Sequence, residues 1–128
     1  MPLCLAAGAL AATLAVESFT LAWTHSIEKV RWEEDWRVED NVLVLEQARI
    51  RGTGAGMEPP EGAVLEKGVW RYRPQISPLQ HLLLAQSAYV AAYELCTTDG
   101  CRSVTELLPG LPAEAVLELT SCHGDRAP

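Results

Sequence analysis

The chain has 128 residues, 48% of them hydrophobic and 21% charged, with a net charge of −7 and a pI near 4.9. That length supports one hydrophobic core without help from metals or disulfides, and the composition is globular rather than disordered. The acidic balance argues against a nucleic-acid partner and against simple adsorption to an anionic membrane.

Residues 1–16, MPLCLAAGALAATLAV, carry no charge. They are too short to span a bilayer as a helix, and they lack the positive n-region of a signal peptide. They read as a buried strand from Leu3 to Ala7, a turn near Gly8 and a second apolar strand, so no transmembrane span is expected in this chain.

From Ser18 to Ile27 the residues alternate, with Phe19, Leu21, Trp23, His25 and Ile27 on one face. A second alternating run puts Val30, Trp32, Glu34, Trp36 and Val38 on an inner face and Arg31, Glu33, Asp35 and Arg37 on a wet one. A hairpin with Glu28-Lys29 as its loop would set Ile27 opposite Val30, His25 opposite Trp32 and Trp23 opposite Glu34. Glu-Lys lacks the Gly or Asn of tight hairpin turns, which points toward a longer loop.

After a turn at Glu39-Asp40-Asn41 comes a strand from Val42 to Ile50. Residues 51–62, RGTGAGMEPPEG, hold four glycines and two prolines and form an irregular loop suited to binding. Short strands follow at Ala63–Leu65 and Val69–Tyr72, then longer ones at Leu79–Ala85 and Tyr89–Cys96. The turn Thr97-Thr98-Asp99-Gly100 leads to Arg102–Leu108, a strand or one helical turn, and to a last strand at Ala115–Thr120. The pattern predicts an all-β fold: a single-domain β-sandwich or partly open barrel of short, mostly antiparallel strands over residues 1–122, with 123–128 a flexible tail.

Glu34 is the residue that most needs a reason. A carboxylate aimed inward between tryptophans must be hydrogen-bonded, paired or protonated. His25, Glu28 and Glu34 together could hold a divalent metal or act as an acid–base pair. Alternatively, His25 bonds Glu34 structurally, or an arginine such as Arg49 or Arg71 meets it. Gly54, Ala55, Gly56, Met57 and Glu58 form a second candidate, since glycines let backbone approach a ligand; no phosphate-binding motif accompanies them. Trp23, Trp32, Trp36 and Trp70 could form a sugar platform, but their alternation favours core packing.

The four cysteines, Cys4, Cys96, Cys101 and Cys122, fit two disulfides in an oxidising compartment. Cys96 and Cys101 flank a hairpin turn, and Cys4 and Cys122 could pair if the terminal strands are neighbours. Four free thiols or a four-cysteine zinc site are the alternatives. No catalytic motif and no cofactor site is recognisable. His81 reads as a core or edge residue, and Ser26, beside His25, lacks the surroundings of a nucleophile.

Three stretches carry a family resemblance: Phe19-Thr20-Leu21 leading into Thr24-His25-Ser26-Ile27-Glu28, Trp32-Glu33-Glu34 ahead of Trp36-Arg37-Val38, and Gly54-Ala55-Gly56-Met57. In combination they resemble an uncharacterised bacterial family, domain of unknown function 1850, over most of residues 3–75. The resemblance implies no mechanism. It implies genes beside TRAP-type solute transporters with TAXI-type binding proteins, and a domain held outside the cytoplasm by an N-terminal membrane anchor, a pattern from which residues 1–16 depart. The function expected is a non-enzymatic accessory or binding module of the cell envelope, contacting a transporter membrane subunit or its solute-binding protein. His25, Ser26, Glu28, Glu34, Gly54, Gly56, Met57 and Glu58 would be its working surface. The alternatives are a metal-binding protein or metal-dependent enzyme using His25, Glu28 and Glu34, a purely structural stabiliser of a complex, and a cytoplasmic location.

Overall fold

A computed structural model describes residues 2–24, 30–51 and 62–122. Two antiparallel sheets make up almost all of it. The strands are β1 (Leu3–Ala7), β2 (Leu10–Leu14), β3 (Ser18–Thr24), β4 (Arg31–Glu39), β5 (Val42–Arg51), β6 (Val64–Glu66), β7 (Val69–Tyr72), β8 (Leu82–Gln86), β9 (Glu94–Thr97), β10 (Gly100–Ser103) and β11 (Ala115–Ser121). One sheet has the order β2-β1-β11-β8 and the other β10-β9-β3-β4-β5-β7-β6. Neither closes on itself, so the sandwich form of the predicted fold is the one adopted. A single helical turn, α1 (Val104–Leu107), follows β10 and is capped by Ser103, whose side chain accepts from the Thr105 N–H.

Turn chemistry sets the hairpins. Lys67 and Gly68, both at positive φ (50° and 79°), join β6 to β7 with the backbone twist that matches paired strands. Asp40-Asn41 joins β4 to β5, and Asn41 takes a φ of 63°, which its short polar side chain tolerates.

The register of β3 on β4 differs from the one predicted. Trp23 pairs with Trp32, Leu21 with Glu34 and Thr24 with Arg31. His25 therefore does not oppose Trp32, nor Trp23 Glu34. Glu28-Lys29 supplies no residue suited to positive φ, and the described pairing runs as far as Thr24 and Arg31. A shift of two residues keeps every side chain on its predicted face, which is why the alternation still reads correctly.

β5 contains a bulge. Asp35 pairs with Gln47 and Trp36 with Leu45, leaving Glu46 unpaired. Its sequence trace is the spacing Leu43, Leu45, Ala48, Ile50, where one step of three interrupts the steps of two. The segment read as a strand from Tyr89 pairs only from Glu94. Tyr89 is an exposed turn residue whose N–H bonds Ser87 Oγ at 3.1 Å.

The core lies between the sheets. Leu3, Leu5, Leu84, Leu117 and Leu119 of the smaller sheet meet Phe19, Leu21, Trp36, Val38, Leu43 and Leu95 of the larger one. Val104, Leu107 and Leu108 close one side.

β1 lies beside β11, so the two ends of the chain meet: the Cys122 N–H donates to Pro2 O at 3.0 Å. The sulfurs of Cys4 and Cys122 are at disulfide distance, with their Cα atoms 5.9 Å apart. Cys96 and Cys101 are likewise at disulfide distance, directly opposite each other on β9 and β10 with Cα atoms 3.9 Å apart. His81 precedes β8, is exposed, and pairs through Nδ1 with Glu118 Oε2 at 2.9 Å, rather than joining the core. Among the described residues no helix is long and apolar enough to cross a membrane.

The two cysteine pairs close loops of very different length, 118 and 5 residues in sequence separation. In the chain-entropy model the long closure stabilises by about 5 kcal/mol and the short one by about 2 kcal/mol. Urea denaturation of the Cys4→Ala/Cys122→Ala and Cys96→Ala/Cys101→Ala variants is expected to show the larger loss in the first. Equal losses would mean that the short bridge contributes by holding the β9–β10 hairpin rather than by limiting the unfolded chain.

Candidate functional site

Two neighbouring carboxylates on β4, Glu33 and Glu34, point to opposite faces of the larger sheet. On the outer face, cross-strand pairing lines up Glu94, Ala22, Glu33, Arg49 and Arg71 in one row. Glu33 accepts from Arg31 Nε at 2.9 Å, Arg49 Nε at 3.1 Å and Arg51 Nε at 2.9 Å. Arg31 also donates to Glu94 at 2.8 Å. Asp35 takes both terminal nitrogens of Arg49, one of them at 2.8 Å, and the Thr20 hydroxyl at 2.7 Å. The Gln47 amide, with its oxygen toward the arginines, accepts from Arg49 at 3.2 Å and Arg71 at 3.3 Å. Glu33 is only 7% exposed, so this supposedly wet face buries an acid beneath its own counter-ions. Burial alone would push the Glu33 carboxyl up. The hydrogen bonds from Arg31 and Arg49 and the charge of Arg51 outweigh that and hold it below the ordinary range.

The inner face is built differently. One row runs Trp23, Trp32, Ile50 and Trp70, with Tyr93 beside Trp23; the next runs Leu95, Leu21, Glu34, Ala48 and Tyr72. Trp36 is buried at 2% exposure. Trp23, Trp32, Trp70, Tyr72, Tyr93 and Glu34 keep partial access to solvent. They form an aromatic shelf at the margin of the core, so the expected burial of all four tryptophans holds fully for Trp36 alone. Trp23 stacks on Trp32 with centroids 6.1 Å apart, and Tyr93 tilts against Trp23 at 56° and 5.8 Å.

Among the described residues Glu34 has one hydrogen-bond partner, Trp36 Nε1, which donates at 3.1 Å. Arg49 and Arg71, the arginines expected to meet it, are on the other face. Burial raises the Glu34 carboxyl and the Trp36 bond offsets this only in part. Tyr72 and Tyr93 are pushed up as well, by burial first and by the Glu34 charge second. Glu33 is thus covered more completely but by cations, and Glu34 keeps an opening to water among apolar groups. The nature of the neighbours, rather than exposure, sets the direction of each shift. Trp32 Nε1 is buried and has no partner among the described residues.

Of the surface expected from the sequence, His25, Ser26, Glu28, Gly54, Gly56, Met57 and Glu58 lie outside the described residues, and Glu34 is the member within them. The flanks of the two segments are described. Thr24, Arg31 and Arg51 pair in one row, so both segments leave the same end of the larger sheet as the Trp23–Trp32 row. Among the described residues no group of three or more His, Cys, Asp or Glu is placed to hold a metal ion. Tyr72, Tyr93 and Trp70 were not singled out from the sequence as neighbours of Glu34. Only the pairing of β7 and β9 with the central strands brings them there.

Grooves open on the outer side among the described residues. One, of about 510 Å³, includes Thr20, Asp35, Glu46, Arg49 and Thr97, and its floor is the charge-compensated Asp35–Arg49 pair. Another, of about 620 Å³, is lined by Gln47, Arg71, Arg73 and Gly62 and borders a segment outside the described residues.

The opposed environments give opposed pH behaviour. Glu33, with its folded pKa lowered, contributes stability that is full above the unfolded carboxylate value of about 4.3 and is lost as pH falls through the lower folded value. Glu34, with its folded pKa raised, favours the fold below the unfolded value and loses that contribution as pH rises through the folded one. Glu33→Gln is expected to cost about 2–4 kcal/mol at neutral pH, because three guanidiniums lose their shared partner, and less in acid. Glu34→Gln, whose amide oxygen still accepts from Trp36, is expected to stay within about 1 kcal/mol and to shift toward stabilisation as pH rises. Urea denaturation across the acid-to-neutral range measures both. A larger loss for Glu34→Gln would contradict this assignment.

The family model described as Domain of unknown function (DUF1850) matches residues 19–104, well over half of the chain. No curated protein and no solved structure matches it. The matched span runs from β3 to the start of α1 and contains both carboxylates and the whole shelf. The chain belongs to the DUF1850 family.

Proposed function

We propose that the domain is a non-enzymatic binding module serving a TRAP-type solute transport system, contacting a transporter membrane subunit or its solute-binding protein. The working surface is the end of the larger sheet where the Glu34 shelf lies and where the 25–29 and 52–61 segments depart. The observation that carries this reading is the shelf itself. Six large or ionisable side chains, Trp23, Trp32, Glu34, Trp70, Tyr72 and Tyr93, stay partly open on a face that elsewhere packs into core. A desolvated indole N–H at Trp32 adds a donor unmet among the described residues, and native proteins rarely leave such a group without a partner, protein or otherwise. The link to solute transport comes from the family resemblance. The two cysteine pairs at disulfide distance support the oxidising side of the cell envelope.

A second reading, a divalent-metal site of His25, Glu28 and Glu34, is favoured by the lack of a cationic partner for Glu34 among the described residues. It requires stoichiometric metal in the purified protein, lost in a folded His25→Ala variant.

The accessory reading is tested by capture of the transporter components from detergent-solubilised membranes of the natural host on the tagged protein. The expected result is retention of a TRAP subunit or solute-binding protein by the native domain, with at least a severalfold loss in Trp32→Ala and no loss in Arg37→Ala. Arg37 lies on the outer face, paired with Glu39 and Glu46. Retention of neither component by the native domain would overturn it.

A further inference from the structure

We infer that the Glu34 shelf binds a substituted organic ammonium ion. This rests on reading the shelf as a binding surface and names the chemistry that it selects.

Charge partition comes first. All four arginines of β4 and β5, Arg31, Arg37, Arg49 and Arg51, form their ion pairs with acids of the outer face and its margins. The described residues nearest Glu34 on the inner face are Leu21, Trp23, Trp32, Trp36, Ala48, Ile50, Tyr72 and Tyr93, and none of them is basic; Arg102 stands in the same row but three strands away, on β10. Among the described residues the titratable groups closest to it are the two tyrosines, both held further toward the neutral phenol by burial first and by the Glu34 charge second. A negative charge in such a place attracts a cation, and no described residue supplies one.

The aromatic rings then decide which cation. Their faces carry negative quadrupole potential and hold a weakly hydrated ammonium at a desolvated surface. The tilt of Tyr93 against Trp23 presents ring planes in two directions, as wrapping around a compact cation requires. A divalent inorganic ion needs six or more oxygen ligands or a tetrahedral set of nitrogen, sulfur or oxygen donors. Among the described residues one carboxylate beside indoles and phenols provides neither. An anion is repelled by Glu34 and by the ring faces alike.

The test is a titration of the intact native protein with tetramethylammonium chloride, followed by tryptophan fluorescence and by the indole N–H resonances. Sodium chloride at matched ionic strength is the control. The expected result is saturable binding that shifts the Trp23 and Trp32 signals, absent with sodium. Binding should weaken by roughly tenfold in Glu34→Gln and severalfold in Tyr72→Leu, with thermal unfolding of both variants showing a folded protein. Affinity of the native protein should fall as pH drops and Glu34 takes up its proton, and that pH dependence should vanish in Glu34→Gln. No saturable response, the same response to sodium, or full affinity in Glu34→Gln would overturn the inference. A protein that captures the transporter components but ignores tetramethylammonium overturns the ammonium assignment alone. One that binds the cation but captures no component overturns the accessory reading alone.

Discussion

Successive side chains of a β-strand point to opposite faces, and in β4 this sends the adjacent acids Glu33 and Glu34 into opposite electrostatic environments. The central strand of the larger sheet is therefore a divider. Outside it, Arg31, Arg49 and Arg51 form a cross-strand network that covers Glu33 and holds its carboxyl below the ordinary range. Inside it, hydrophobic and aromatic residues leave Glu34 with an indole N–H and no counter-charge among the described residues. Every cation spent on the outer face is one that the inner face lacks.

The smaller sheet determines how far the inner face is closed. It packs over Phe19, Leu21, Trp36, Val38 and Leu43 and holds the two chain ends together through the β1–β11 pairing and the Cys4–Cys122 pair. Trp32, Trp70 and Tyr72 lie beyond the tightly packed cluster and stay partly open. Close-packed interiors have low compressibility, so the shelf is carried on a stiff base. Binding at such a place needs little rearrangement of the sheet, which keeps the ordering cost of association low.

Much of this was legible in the sequence because alternation reports faces directly. Val30, Trp32, Glu34, Trp36 and Val38 do share a face, and the pairing of the first and last strands and the Thr98-Asp99 hairpin place the cysteines as their positions suggested. Register was less legible. Glu28-Lys29 gives no turn signal that fixes a loop length, and a shift of two residues leaves the pattern of faces unchanged. The bulge at Glu46 was written in the Leu45–Ala48 spacing, though a short apolar run reads as a plain strand unless the steps are counted. The burial of Glu33 could not be read at all from its own strand. It depends on Arg49 and Arg51 arriving from β5. In the same way Tyr72 and Tyr93, far apart in sequence, become neighbours of Glu34 only through the order β9-β3-β4-β5-β7.

The central claim is that one strand holds two adjacent carboxylates on opposite sides of their ordinary titration range. The most direct measurement is an NMR titration of the side-chain carboxyl carbons of Glu33 and Glu34 in the same sample. The expected result is a Glu33 midpoint below the ordinary glutamate value of about 4.3 and a Glu34 midpoint above it. A Glu34 midpoint at or below that of Glu33 would mean that a cation reaches the inner face, and the division of charge across β4 would not stand.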